Sequence, residues 1–318
     1  MSAQSDLPAV SVVMPTYQGA RYLNETLSAV RAQNYPASVE IVAVDSESTD
    51  NTRDVLAKYG AHVTSISQQN FTHGYSRNVG VRKAQHPVIV FMSQDALPVG
   101  THWLRGIAES LSDPTVGAMY VRQVSRPDAT PLEIYFHETL YPPRSTRYQL
   151  SGDHAVSLDK IFFSNVCSAA RREVCLQYPF DENLIMSEDQ AFAKALLQAG
   201  YQTVYNADVQ VVHSHHYDLK TLFRRNFDSA YSLRGISSDS GSHTMQQALS
   251  YISGEVRYVI AQRQLRWLAA IPPYEMTRIA GRLMGRYADA LPMRWRTQLS
   301  LHRGFWTHKA AQGKAAQE

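Results

Sequence analysis

Five short segments of the 318-residue chain gather side chains that hold cations, take protons or bind nucleotides. Asp45 closes an apolar run and is followed by Ser46-Glu47-Ser48-Thr49-Asp50. A carboxylate at that point can accept from the imino N–H of uracil or thymine, while Ser46 and Ser48 can bond a ribose. Helix capping is the competing reading, and it is the better one for Asp50. Ser93-Gln94-Asp95-Ala96 follows Val88–Met92, the most apolar run in the chain. A carboxylate just outside such a strand can hold Mg2+ or Mn2+ across a diphosphate, because hard cations prefer oxygen ligands. It could also do no more than cap a helix. Ser187-Glu188-Asp189-Gln190 opens a helix, whose N-terminus stabilises neighbouring carboxylates. One of them can remove a proton from an acceptor hydroxyl, although acids are common in any first turn. His213-Ser214-His215-His216 lies just past another strand. Alternate residues of extended chain share a face, so His213 and His215 point together, and either could complete a metal site. In the segment from Asn70 to Asn78, Arg77 offers a planar fork of donors to a phosphate or a base edge. A solvated arginine beside the Gly74 turn is the bland alternative.

These residues need a scaffold, and the surrounding pattern predicts one. Val10–Met14, Glu40–Val44, His62–Ile66 and Val88–Met92 read as strands, the first ended by Pro15, which has no N–H to donate. Helices are predicted from Tyr22 to Gln33 through the Leu23, Leu27 and Val30 stripe, from Asp50 to Tyr59 with Gly60 as a stop, and over Gly74–Ala84. Strand and helix alternating through short connections predict an α/β fold, a parallel sheet covered on both faces. Ligands of such sheets bind beyond the carboxyl ends of the strands. Thr16, Tyr17, Asp45, Ser46 and Ser93-Gln94-Asp95 occupy those ends, which marks a nucleotide-type site. From Met119 to about Ile161 the periodicity weakens, and the stretch reads as loops or an insertion that shapes an acceptor site. A helix over Ser187–Ala199 and a strand over Val209–Val212 follow, and from about Thr221 to Trp306 the pattern is helical. Residues 1–220 are therefore expected to form the catalytic domain, and 221–318 a helical, basic region.

Composition narrows the classes. Apolar residues make up 44% of the chain and charged residues 19%, a globular balance. No apolar run approaches the roughly 20 residues of a membrane-spanning helix. The N-terminus lacks a signal-peptide pattern, and Cys167 and Cys175 are too few for a disulfide framework or a thiolate zinc site. A cytoplasmic protein is expected. From Val256 to Glu318 eleven Lys/Arg stand against three Asp/Glu, a charge of +8, which leaves −5 for the rest of a chain whose total is +3. Arg278, Arg282 and Arg286 recur at helical spacing beside Ile279, Leu283 and Tyr287, with Trp267, Trp295 and Trp306 nearby. Such a helix can lie on anionic lipid at the inner face of the plasma membrane. Alternatively, the apolar stripe packs inward and the arginines face water. No nucleic-acid-binding module is visible, so that partner is not expected. No G-x-G-x-x-G follows the first strand, which disfavours a dinucleotide oxidoreductase. MPTYQGARYL does not resemble the glycine-rich basic loop of a nucleotidyltransferase.

Taken in order and spacing, VSVVMPTYQG, VDSESTD, FMSQDALP, FDENLIMSEDQAFAKAL and VVHSHHY resemble family 2 inverting glycosyltransferases of the GT-A fold over roughly residues 9–217. NFTHGYSRNVG, SQDA and the HSHHY…FRRNF run resemble the bacterial rhamnosyltransferase branch, which uses dTDP-L-rhamnose and builds surface polysaccharides. The resemblance implies a GT-A-type, mostly parallel sheet flanked by helices. Pro15, Thr16, Tyr17 and Asp45 would hold the nucleoside, with Gln94 beside them and Arg77 and Asn78 near the base or diphosphate. Asp95 matches the last carboxylate of the Asp-x-Asp metal motif, for Mg2+ or Mn2+. Asp189 matches the catalytic base, with Glu188 next to it. His213 matches the histidine ligand, and His215 is its substitute. Ser93 stands where the family has its first Asp, so the site has one carboxylate fewer, and Ser187 replaces the glycine before Glu-Asp. The implied reaction moves a sugar, L-rhamnose from dTDP-L-rhamnose, to a hydroxyl of a glycan or polyprenyl-linked acceptor. A UDP-sugar donor is one alternative. A catalytically decayed, membrane-associated scaffold is another, and the joint presence of Asp95, Asp189 and His213 argues against it.

Overall fold

The computed structural model describes residues 7–150, 157–236, 241–307 and 309, with the backbone alone for 241–245. The amino-terminal half alternates as predicted: β1 (Val10–Thr16), α1 (Ala20–Arg31), β2 (Val39–Asp45), α2 (Thr52–Lys58), β3 (His62–Ser65), α3 (His73–Lys83) and β4 (Val88–Met92). These four strands pair in parallel in the order 3-2-1-4. Successive side chains of a strand face opposite ways, and both faces here are covered. Val10, Val12 and Met14 meet Leu23 and Leu27 of α1 on one face. Val13, Val42, Ile89 and Phe91 meet Val81 of α3 on the other. That double burial is why these strands read as continuous apolar runs rather than alternating ones.

Beyond β4 the sheet becomes mixed. The chain continues through β5 (Leu97–Pro98), α4 (Trp103–Ser110), β6 (Val116–Val124), α5 (Pro131–Leu140), β7 (Thr146–Tyr148), β8 (Cys167–Arg171), α6 (Arg172–Gln177), α7 (Glu188–Gln198) and β9 (Gln202–Val212). The full order is β3-β2-β1-β4-β8-β6-β9-β5, with β7 against β9. The stretch expected to be loops thus carries β6, α5 and β7. The strand β6 is buried on both faces and interrupted by Arg122 and Gln123, so it shows no alternation to read. The start of α5 did carry a signal. In Thr130-Pro131-Leu132-Glu133 the Thr130 hydroxyl accepts from the Glu133 N–H, the Glu133 carboxylate accepts from the Thr130 N–H, and Pro131 sits at the first helical position. Likewise β9 begins seven residues before the predicted Val209.

The carboxyl-terminal helices α8 (Leu219–Leu233), α9 (Gly241–Ala261), α10 (Ile271–Arg286) and α11 (Met293–Leu299) pack on one another, on α5 and on the chain before α7. Close packing of α8 on α10 depends on glycine. A Cβ at Gly281 would come to 2.6 Å from the Phe223 carbonyl, and one at Gly285 would run into that of Phe227. Trp306, fully buried, packs with Phe227, Tyr231 and Ala288 against Ile185, just before α7. His302 closes an aromatic triangle with Phe71 and His73 at the start of α3. The basic stripe is divided differently from either sequence reading. Arg278 points inward, paired with Glu275 at 2.8 Å among the rings of Phe136, Tyr251 and Tyr274. Trp306 is core, while Ile279, Leu283 and Tyr287 face outward at 37%, 55% and 64% exposure. Among the described residues, no helix is long and apolar enough to cross a membrane.

Candidate active site

Register assembles the first part of the site. The antiparallel pairing of β5 with β9 sets Leu97 opposite Val212. Asp95, two residues before Leu97, therefore falls beside the segment just after β9. There His213 Nε2 lies 3.6 Å and His215 Nε2 3.1 Å from the Asp95 carboxylate. The two imidazole nitrogens are 3.0 Å apart, and the three ligand atoms all lie within 4.8 Å of one another. His216 turns the other way, to Glu133 at 2.9 Å and Asp128 at 3.3 Å. The alternation along the segment thus brings His213 and His215 together and excludes His216.

The chemistry of this donor set fits a divalent ion. Burial pushes the His213 pKa well down, so its ring is neutral at physiological pH. Gln123 Oε1 lies 3.0 Å from His213 Nδ1 and, as a carbonyl oxygen, it can only accept. The proton therefore sits on Nδ1, and the Nε2 lone pair faces Asp95. The amide of Gln123 is oriented in turn, its NH2 donating to the Tyr141 hydroxyl and to Ser164 at 2.9 Å. Burial alone would raise the Asp95 pKa, but the His215 hydrogen bond and the two imidazoles outweigh it and hold the group ionised. Two imidazoles and one carboxylate make a mixed nitrogen and oxygen donor set for a divalent ion.

At the end of β1, Thr16 is paired with Asp45 of β2. Asp45 is fully buried, and both its oxygens are occupied. Oδ1 accepts from the hydroxyls of Thr16 at 3.2 Å and Ser48 at 2.6 Å, and Oδ2 accepts from Ser48 N at 3.0 Å and Arg53 Nε at 2.9 Å. Its carboxylate organises the loop after β2. Pro15 lies within β1, opposite Val44. The Gln94 side chain exchanges two 3.0 Å hydrogen bonds with the backbone of Tyr17, tying the ends of β1 and β4 together. The Tyr17 ring is left exposed at 42%, available to stack on a base. Asp50, expected to cap α2, lies one residue before Asn51, which holds the N-cap position; its carboxylate accepts from Thr52 N at 3.1 Å and from Ala20 N.

The second carboxylate centre stands at the start of α7. Ser187 adopts φ 64°, left-handed backbone at the position where the family has glycine. Glu188 is buried and paired with Arg77 Nη1 at 2.8 Å. The same guanidinium donates to the carbonyls of His73 and Asn165. Arg77 is thus an internal strut from α3 to α7, not a surface fork for phosphate. Asn78 is also internal, its amide bridging Phe180 and Glu182. Asp189, half-buried, accepts from Asn165 N at 3.1 Å and Gln190 N at 2.9 Å. Burial first, and the neighbouring Glu188 charge second, raise its pKa to about 7. A carboxylate poised there can take a proton at neutral pH. Asn165 and Val166 join the two centres, because Val166 O accepts from Ser93 N, two residues from Asp95.

Sequence reasoning missed Gln123, Asn165 and Arg126, whose Nη2 donates to the Asp95 carbonyl at 2.8 Å. None lies in a recognisable motif; Gln123 is placed by β6, Arg126 by the turn just after β6 and Asn165 by the segment just before β8.

The part-parallel sheet, with Asp95, His213 and His215 gathered at its carboxyl edge, has the GT-A glycosyltransferase fold. Residues 11–178 match the family model "Glycosyl transferase family 2", and the chain belongs to that family. It is 27% identical over 308 residues to the O-antigen chain rhamnosyltransferase WbaN of Salmonella anatum, covering 95% of this chain and 97% of that one. It is 25% identical over 310 residues to RfbN of Salmonella typhimurium strain LT2, covering 94% and 96%. Among solved structures, the mannosyltransferase PcManGT of Pyrobaculum calidifontis in complex with GDP-Man and Mn2+ shares the fold at TM-score 0.60 and 21% identity, over 90% of this chain and 87% of that one. Staphylococcus aureus TarS 1–349 with UDP-GlcNAc does so at TM-score 0.53 and 17% identity, over 96% and 92%.

Proposed function

We propose that the enzyme transfers L-rhamnose from dTDP-L-rhamnose, with inversion, to a hydroxyl of a glycan or polyprenyl-linked acceptor in bacterial surface polysaccharide synthesis. The observation that carries the reading is the pairing of two centres through Asn165 and Val166: Asp95, His213 and His215 on one side, and Asp189 with its raised pKa on the other. Similarity along nearly the whole chain to two O-antigen rhamnosyltransferases supports the choice of sugar. Asp189 takes the acceptor proton as the acceptor oxygen bonds to C1. The bond from C1 to the β-phosphate oxygen breaks, and its electron pair leaves on the nucleoside diphosphate. Attack from the opposite face inverts the configuration without a covalent enzyme intermediate. Asp95, His213 and His215 would hold a divalent ion, which when bound supplies positive charge to the departing diphosphate. Tyr17 and the loop around Asp45 would receive the base.

The outward stripe of Met276, Ile279, Leu283 and Tyr287, beside exposed Arg282 and Arg286, supports contact with an anionic lipid surface on the cytoplasmic side. Calorimetry of dTDP, UDP and GDP with Mn2+ or EDTA tests the central reading. Metal-dependent preference for dTDP is expected. Preference for UDP would replace the donor while keeping the reaction class, and binding of none would overturn the reading.

A further inference from the structure

Building on that reading, we propose that Arg225 holds the β-phosphate of the leaving nucleoside diphosphate, the part that the sequence gives to Arg77. The helix α8 starts soon after His216, so its second turn stands close to the histidine segment. The Arg225 guanidinium lies 4.8 Å from the centre of the Tyr217 ring. That ring is 5.4 Å from His215, which touches Asp95 at 3.1 Å. An unbroken chain of contacts therefore leads from the arginine to the metal ligands.

Elimination among the nearby arginines points the same way. Arg53 is bound to Asp45, Arg77 to Glu188, and Arg126 to the Asp95 carbonyl. Arg224 points away and donates to the Gln298 carbonyl. Arg225 is partly buried, and among the described residues its contact with Tyr217 is not accompanied by any hydrogen bond or ion pair. A guanidinium carries five N–H donors in a planar fork. The Tyr217 ring meets the cation through its π face and accepts no hydrogen bond from these donors. A phosphate with two or three negatively charged oxygens matches that fork in the two-pronged geometry arginine prefers. With ligand atoms on one side of a diphosphate and Arg225 on the other, charge that grows as the C1–O bond breaks is met by a fixed donor. Loss of Arg225 should then lower kcat more than it raises KM.

The test uses the full chain with Mn2+, titrated calorimetrically with dTDP, dTMP and thymidine. Arg225→Gln should weaken dTDP binding about 10- to 100-fold, the range for a hydrogen bond to a charged group, and leave thymidine and dTMP unchanged. Arg225→Lys should keep part of the dTDP affinity, and Arg224→Gln should behave as wild type. A merely structural role would lower affinity for all three ligands together, or would move only the melting temperature, and either result overturns the proposal. So does unchanged dTDP affinity in Arg225→Gln. Wild-type protein that binds no nucleoside diphosphate would instead overturn the functional reading and this proposal with it.

Discussion

Replacing Asp189 by asparagine separates two consequences of burying a carboxylate. The folded chain raises the Asp189 pKa from 3.8 to about 7. Between those values the folded state keeps a proton that the unfolded state has lost, so this group's contribution to stability is fully present below pH 3.8. It falls as pH rises and is lost above pH 7, where a buried charge must be maintained. The rise corresponds to about 4 kcal/mol at pH 8. Asparagine carries no such charge, but it has one acceptor oxygen where aspartate has two. It therefore gives up either the Asn165 or the Gln190 hydrogen bond, at about 1–2 kcal/mol. The difference leaves Asp189→Asn about 2–3 kcal/mol more stable than wild type at pH 8, several degrees in melting temperature, and close to parity at pH 5. Thermal melts in EDTA at the two pH values read this directly. Sugar transfer by the same variant should be abolished while dTDP binding persists. A variant less stable than wild type at pH 8, or one that still transfers at near wild-type rate, would refute the reasoning.

Other outcomes follow from single contacts. Gln123→Leu removes the acceptor that fixes the His213 tautomer, and Mn2+ affinity measured by electron paramagnetic resonance should fall about 10- to 100-fold. Arg77→Met leaves Glu188 buried without a cation; denaturant unfolding should show a loss of about 3–5 kcal/mol, with no selective change in donor affinity. Ser187→Gly releases left-handed backbone at φ 64°, and a gain of about 1 kcal/mol is expected, since the strain removed exceeds the added chain entropy. No gain would mean that neighbouring contacts already favour the serine. Leu283→Glu combined with Tyr287→Glu should weaken sedimentation with phosphatidylglycerol vesicles, while equal binding would remove the lipid surface from the proposal.

What the sequence made legible was local. Strand ends are visible as apolar runs meeting polar residues, so Thr16, Asp45, Asp95 and His213 could be set on one edge of the sheet before any coordinates. The period of extended chain was enough to put His213 and His215 on one face. Partners far apart in the chain were another matter. Arg77 reads as a free phosphate fork until Glu188, 111 residues on, is seen to hold it. Asp45 reads as open to a base until Thr16 and Arg53 are seen to fill its lone pairs. Gln123 carries no motif, and its role exists only because β6 runs beside β9. The basic stripe failed for a related reason: helical spacing shows which residues share a face, but not that Glu275 and three aromatic rings draw Arg278 inward.

The measurement that bears most directly on the proposed chemistry is turnover of dTDP-L-rhamnose by the wild-type enzyme with Mn2+ and with EDTA. Release of dTDP would be followed beside UDP-glucose, UDP-N-acetylglucosamine and GDP-mannose as competing donors. Metal-dependent release from dTDP-L-rhamnose, faster than from the other three, is the predicted result. Turnover unaffected by EDTA would contradict the Asp95, His213 and His215 site, and turnover of none of the four would contradict the reaction itself.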